Sequence, residues 1–189
     1  MSLLSAAVTG YGTTNRRKPL AFMIPHSRPS ISPDDVRTVS RVIETGMLAA
    51  GVESAAFERD LVSYVGLPHA ASVSSGTAGL YLTLRALGVG KGDEVVIPAY
   101  VCSALWHAVR MAGAAPVLAD TGGDGVHPDG ATVRAVLTPK TKAVVFAHLF
   151  GEACDIRDII MAGPPVIEDC AMSPGAECGG RRSEERRVG

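Results

Sequence analysis

Val73-Ser74-Ser75-Gly76-Thr77-Ala78-Gly79-Leu80 is the stretch that decides how this chain is read. The apolar run Ala70-Ala71-Ser72-Val73 leads into it, and Leu80, Leu84 and Leu87 follow at helical spacing. The pattern predicts a strand over residues 70–73, a tight Ser-Gly-Thr turn and a helix over residues 78–87. The first amides of a helix lack partners inside it and carry the positive end of its dipole, which suits a phosphate. Gly76 lets the backbone approach an anion closely, and the hydroxyls of Ser75 and Thr77 can add hydrogen bonds. An ordinary capped helix behind a glycine turn has the same signature, so the turn alone does not separate the two readings.

Upstream, Ser32-Pro33-Asp34-Asp35 opens the first predicted helix. Ser32 serves as N-cap, Pro33 fits the first helical position, and the aspartates suit the positive end of the dipole. Val36, Val39, Val42 and Ile43 form its expected buried face, and Gly46 its stop. A glycine-bounded loop over residues 45–51 leads to a second helix, expected to turn Ala56, Phe57, Leu61 and Tyr64 inward and to close at Gly66. Downstream, strands at 94–97, 116–119, 143–147 and 165–167 alternate with helices at 103–111, 128–137 and 156–161. Trp106, in line with Leu105 and Val109, is expected in the core. This alternation predicts a three-layer α/β/α fold around a mainly parallel sheet, with ligands beyond the carboxyl ends of the strands. Ser75-Gly76-Thr77, Pro98-Ala99-Tyr100, Asp120, His148 and Asp169 all follow predicted strand ends. Residues 1–22 read as a flexible lead-in, 23–182 as the folded part and 183–189 as a charged tail foreign to it.

The chain has 189 residues, enough for one sizeable core, and its 47% hydrophobic and 20% charged residues are those of a soluble globular domain. A net charge of −1 and 5% aromatics give no electrostatic or stacking case for nucleic acid. Cys102, Cys154, Cys170 and Cys178 contain no CxxC pair and no zinc-ligand spacing, so free thiols in a cytoplasmic protein and no metal are expected. No apolar run has membrane-spanning length, and no signal-peptide pattern is present, so no membrane partner is expected.

Val166-Ile167-Glu168-Asp169-Cys170-Ala171 is the second informative stretch. An acid directly after an apolar strand lies at the ligand edge of the sheet, where a carboxylate can keep a ring nitrogen protonated. A phosphate cradle after one strand and an acid after a later one are what pyridoxal phosphate requires, anchored at the phosphate and at the pyridinium. Taken by themselves, Glu168-Asp169 equally fit a solvated pair capping a loop.

Further pieces occur in one order: Ile24-Pro25-His26-Ser27-Arg28-Pro29, the 45–51 loop, Ser74-Ser75-Gly76-Thr77-Ala78, Gly90-Lys91-Gly92-Asp93-Glu94-Val95, Ala114-Ala115-Pro116-Val117, Leu137-Thr138-Pro139-Lys140-Thr141-Lys142-Ala143, His148-Leu149-Phe150-Gly151 and Ile167-Glu168-Asp169-Cys170-Ala171. Together they resemble the DegT/DnrJ/StrS family of pyridoxal-phosphate enzymes, the nucleotide-sugar aminotransferases of fold type I. The resemblance implies that Ser75, Gly76, Thr77 and Ala78 bind the cofactor phosphate and that Asp169 pairs with its pyridine nitrogen. It also implies a homodimer, a nucleotide-sugar substrate and an amino-acid donor such as glutamate.

Three departures from the family pattern stand out. Cys102 replaces the aromatic residue that stacks on the cofactor ring, a role Tyr100 is expected to take over. Met172 replaces a Gln or His near the phenolic oxygen and gives no comparable hydrogen bond. The lysines are Lys18, Lys91, Lys140 and Lys142, and all precede Asp169, whereas the family's Schiff-base lysine lies a few tens of residues beyond it. A C-terminally truncated, inactive fragment of an aminotransferase is therefore the expectation. The alternatives are a deoxysugar dehydratase of the same family, a non-catalytic binding or regulatory relative, and a Rossmann-type nucleotide domain, the last disfavoured because Ser75-Gly76-Thr77 is not GxGxxG. His148 is read as a packed or loop-bonding histidine, and Asp120 and Asp124 as parts of a surface turn.

Overall fold

The computed structural model describes residues 28–123 and 125–182 of the chain. The lead-in over 1–22, Ile24-Pro25-His26-Ser27, Asp124 and the tail over 183–189 lie outside the described residues. The chain divides into two compact units, Met1–Leu48 and Ala49–Gly189.

The first unit holds helix α1, Pro33–Glu44. Its start is fixed as the sequence dictates. The Ser32 hydroxyl accepts from the Asp35 amide at 3.2 Å, and the Asp35 carboxylate accepts from the Ser32 amide at 2.7 Å. Gly46, at φ +72°, ends it in the left-handed region that glycine enters without steric cost. The expected buried face is not buried. Val36, Val39 and Ile43 are each more than half exposed, and Val42 is only partly covered. The periodicity is real, but an apolar stripe is buried only where another surface meets it.

The second unit begins with α2, Val52–Val65, closed by Gly66 at φ +70°. Phe57, Leu61 and Tyr64, expected inside, are also exposed. Then follow α3, Gly76–Ala86; β1, Glu94–Pro98; α4, Ser103–Met111; β2, Ala115–Ala119; α5, Gly130–Val136; β3, Thr141–Ala147; α6, Arg157–Ile160; and β4, Val166–Asp169. A short antiparallel ribbon, β5 (Glu177–Cys178) with β6 (Arg181–Arg182), comes last. Strands β1 to β4 form one parallel sheet in the order β2-β1-β3-β4. Residues 70–73 are not a strand, contrary to the sequence pattern: no described strand lies beside them, and a strand without a ladder leaves its amides unpaired. The Ser72 amide and hydroxyl instead both donate to the Glu58 carboxylate of α2, each at 2.7 Å.

Helices cover both faces, giving the three layers. On one face Leu80 and Leu84 of α3 and Leu105, Ala108 and Val109 of α4 meet Val95, Ile97, Val145 and Ala147 of the sheet. On the other, Val133 of α5 and Ile156 and Ile159 around α6 meet Val96, Val144 and Phe146. Successive strand residues point to opposite faces, and β1 and β3 are apolar on both, as central parallel strands must be. Trp106 is not core: it is 43% exposed, while Leu105 and Val109 one position before and three after it are buried. The 100° step between neighbouring helical residues turns its ring off the sheet.

Candidate functional site

The connection over residues 87–93 brings the end of α3 to the start of β1. Helix α3 therefore runs back along the sheet, and its first turn lies toward the carboxyl ends of the strands. Leu80, early in α3, shares a core cluster with Leu149, just beyond the carboxyl end of β3. The Ser75 hydroxyl caps α3, accepting from the Ala78 amide at 3.1 Å. That engages the Ala78 amide and leaves those of Gly76 and Thr77 without an acceptor among the described residues. A Cβ added at Gly76 would project into open space. Two aimed amides and room beside them fit a phosphate group, and the Ser75 hydroxyl still has its proton to donate.

The next strand end carries Tyr100 and Cys102. Both are exposed, and Cys102 precedes α4 without a side-chain hydrogen bond to it. Tyr100 lies 6.4 Å, ring centre to ring centre, from Phe150 at the end of the neighbouring strand β3. Phe150 sits at φ +59°, a conformation that a bulky residue adopts only at a local cost.

At the end of β4 the register decides which acid faces where. Val145 pairs with Ile167 and both belong to the α3/α4 cluster, whereas Phe146, opposite Glu168, belongs to the α5/α6 cluster. Alternation then puts Asp169, opposite Ala147, on the face that α3 covers, and Glu168 on the other. One oxygen of Asp169 accepts from the Ala171 amide at 3.0 Å. Met172 is half exposed just beyond.

Glu168 is not the solvated acid that the sequence allowed. Its carboxylate takes the Nε2 of His148 at 2.9 Å, and the His148 side chain is wholly buried. The Cys154 amide donates to Nδ1 at 3.2 Å, so Nδ1 has no proton and Nε2 carries it. Sequence reasoning gave His148 as a packed, loop-bonding residue, which it is. The pairing with Glu168 spans 20 positions and only the β3–β4 register reveals it. Cys170 adds a thiol within 4.8 Å of both groups, a set with the chemistry of a metal site. A metal on Nε2 would need a protonated, donating Nδ1, and here Nδ1 accepts. His127 stacks on Phe146 and accepts the Leu149 amide at Nε2, 3.0 Å away. Burial holds its pKa below the usual 6.5; the Glu152 charge opposes this and His148 adds to it. Asp120 is exposed and binds the Thr121 amide, as a turn residue does.

The model of the DegT/DnrJ/EryC1/StrS aminotransferase family matches residues 29–189. The chain belongs to that family. Among solved structures, S. venezuelae DesV, determined with a ketimine intermediate, is 35% identical over 78% of this chain and 41% of its own, with a TM-score of 0.74. An aminotransferase from Psychrobacter cryohalolentis is 33% identical over 84% of this chain and 42% of its own, with a TM-score of 0.78. The sugar aminotransferase Spr1654 from Streptococcus pneumoniae, described as putative and solved in a PLP-form, is 32% identical over 75% and 36%, with a TM-score of 0.72. The chain thus spans about two fifths of the length of these relatives. The DegT/DnrJ/EryC1/StrS members are fold type I proteins, and the parallel sheet here is theirs.

Lysine placement follows from the same sheet. Lys91 precedes β1, and Lys140 and Lys142 stand at the start of β3, all three exposed. They lie at the amino edge, roughly 20 Å of extended strand away from the edge where Asp169 lies. Lys18 is outside the described residues.

Proposed function

We infer that the chain is the cofactor-binding part of a pyridoxal-phosphate-dependent aminotransferase. The whole protein moves an amino group from an amino-acid donor such as glutamate to a keto group on a nucleotide-linked sugar, as a cytoplasmic homodimer. Membership of the family and the PLP-form of a relative support the cofactor. The observation that carries the reading is the placement of Asp169 and the opening turn of α3 at one edge and on one face of the sheet. Among the described residues no helix is long and apolar enough to cross a membrane.

The bound cofactor supplies an electron sink. The chain's part is to bind and orient it. The Gly76 and Thr77 amides and the Ser75 hydroxyl take the phosphate, and Ala78 keeps the Ser75 cap in place. Asp169, with one oxygen on Ala171, gives the other to the ring nitrogen and holds a proton there. Tyr100, beside Cys102, covers the ring. Met172 leaves the phenolic oxygen without a strong donor from that position. A lysine for covalent attachment must come to the carboxyl edge, and Lys91, Lys140 and Lys142 do not. With these three lysines alone the cofactor is held noncovalently and no amino group is transferred. The exposed stripe on α1, Val36, Val39 and Ile43, supports a dimer, since uncovered apolar faces of this kind mark association surfaces.

The test is reconstitution of the whole protein with pyridoxal phosphate. A visible cofactor band that borohydride discharges, and that glutamate converts in a single turnover, is expected, with an amino sugar nucleotide formed on adding a keto-sugar nucleotide. A protein that retains no cofactor, or whose band ignores amino acids, contradicts the assignment.

A further inference from the structure

We propose that His148 is a positioning residue for Asp169, acting through Glu168. The reading of Asp169 as the partner of a cationic ring nitrogen is taken from the function proposed above; the brace itself stands on geometry alone.

Strand β4 is four residues long and, among the described strands, pairs only with β3. Asp169 is its last residue, and so short a strand supplies few ladder bonds to hold it. His148 makes four hydrogen bonds, two of them to the end of β4. Its amide donates to the Asp169 carbonyl at 3.0 Å. Its Nε2–H donates to Glu168, the residue before, at 2.9 Å. Its Nδ1 takes the Cys154 amide at 3.2 Å, and its carbonyl takes the buried Ser173 hydroxyl, also at 3.2 Å. Ser173 closes the turn that leaves Asp169, since its amide reaches back to the Cys170 carbonyl at 3.0 Å. Both ring nitrogens and both backbone polar atoms are used.

The ring meets Phe146 edge-on at 5.0 Å, and an aliphatic side chain in its place would leave the Glu168 carboxylate and the Cys154 amide without this partner. A buried imidazole there is stable only because its network is complete. What the network adds over an apolar residue is a fixed rotation of β4 about its own axis. Glu168 is held on the far face, so Asp169 is held on the near one, at the edge where α3 begins. The brace thus aims a carboxylate at a cationic heteroaromatic ligand without touching that ligand.

The two halves of the ring separate by substitution. His148→Gln keeps a donor at the Nε2 position for Glu168, and His148→Asn keeps an acceptor at the Nδ1 position for Cys154. Each is made in the full chain with 13C-labelled aspartate, the Asp169 carboxyl resonance being assigned by its loss in Asp169→Asn. Expected is an Asp169 resonance near the wild-type position in His148→Gln and Glu168→Gln, and a shifted, broadened one in His148→Asn, with backbone amides of β1 and β2 unmoved. Pyridoxamine phosphate should bind His148→Asn roughly tenfold or more weakly, the scale of one buried hydrogen-bonding group left alone. Equal Asp169 resonances in the Asn and Gln variants would overturn the proposal. So would 15N shifts of wild-type His148 showing the proton on Nδ1 at neutral pH, a measurement that needs no variant to fold. Should wild type bind no pyridoxamine phosphate while the Asp169 resonance responds as stated, the cofactor reading fails and the brace stands.

Discussion

Gly76 separates what the fold needs from what a ligand needs. No φ in the left-handed region and no neighbouring atom requires a glycine there. In a helix an alanine is favoured over glycine by up to about 1 kcal/mol. Gly76→Ala should therefore leave thermal stability unchanged or slightly raised and yet weaken pyridoxamine phosphate binding, because its methyl enters the space beside the free amides. A loss of stability would mean that the chain, not a ligand, selected the glycine. His127 carries a pH dependence of its own. Its folded pKa lies below 6.5 because burial disfavours the charged ring, so below that pH the unfolded chain takes up a proton that the folded chain refuses. Its share of stability is complete above about pH 6.5 and falls as pH drops toward the lowered folded value. Urea midpoints should fall on moving from about pH 7.5 to about pH 5.5, and His127→Gln, which keeps an acceptor for Leu149, should flatten that slope. At this scale the place of Asp169 at a strand end is legible from the apolar run before it, as that of Asp120 is. The role of Glu168 is not legible, because its partner lies on another strand and only pairing reveals it.

Elements were legible wherever one chain segment contains its own reasons. Ser32, Pro33 and Asp35 place the start of α1, and Gly46 and Gly66 stop α1 and α2. Apolar runs place β1 to β4 within a residue or two. Asp129 shows how local such control is: its carboxylate takes the Ala131 and Thr132 amides at 2.9 and 2.8 Å and opens α5. Asp129→Ala should lower the denaturation midpoint with an unchanged denaturant slope. Elements that depend on a neighbour were misread. Residues 70–73 have a strand's composition and, among the described residues, no strand beside them. The stripes on α1 and α2 have a helix's periodicity, yet Val36, Val39, Ile43 and Phe57 stay more than half exposed. Sequence pattern reports a residue's readiness to be buried; the partner that buries it is a separate fact.

Across the whole molecule, a parallel sheet with helices on both faces collects residues from distant stretches at one edge. Tyr100, His148 and Asp169 follow the ends of β1, β3 and β4, and Ser75 opens α3 with no described strand before it. The alternation of strands and helices was enough to anticipate the first three. Which face each residue takes was not, since one position of register exchanges Glu168 with Asp169. The central claim is that a single cofactor is held at its phosphate by the first amides of α3 and at its ring nitrogen by Asp169. A crystal structure of the chain with pyridoxamine phosphate tests it most directly. The account predicts the phosphate within hydrogen-bonding distance of the Gly76 and Thr77 amides and the ring nitrogen within hydrogen-bonding distance of the Asp169 carboxylate. A cofactor seated elsewhere, or one whose ring nitrogen faces away from Asp169, would contradict it.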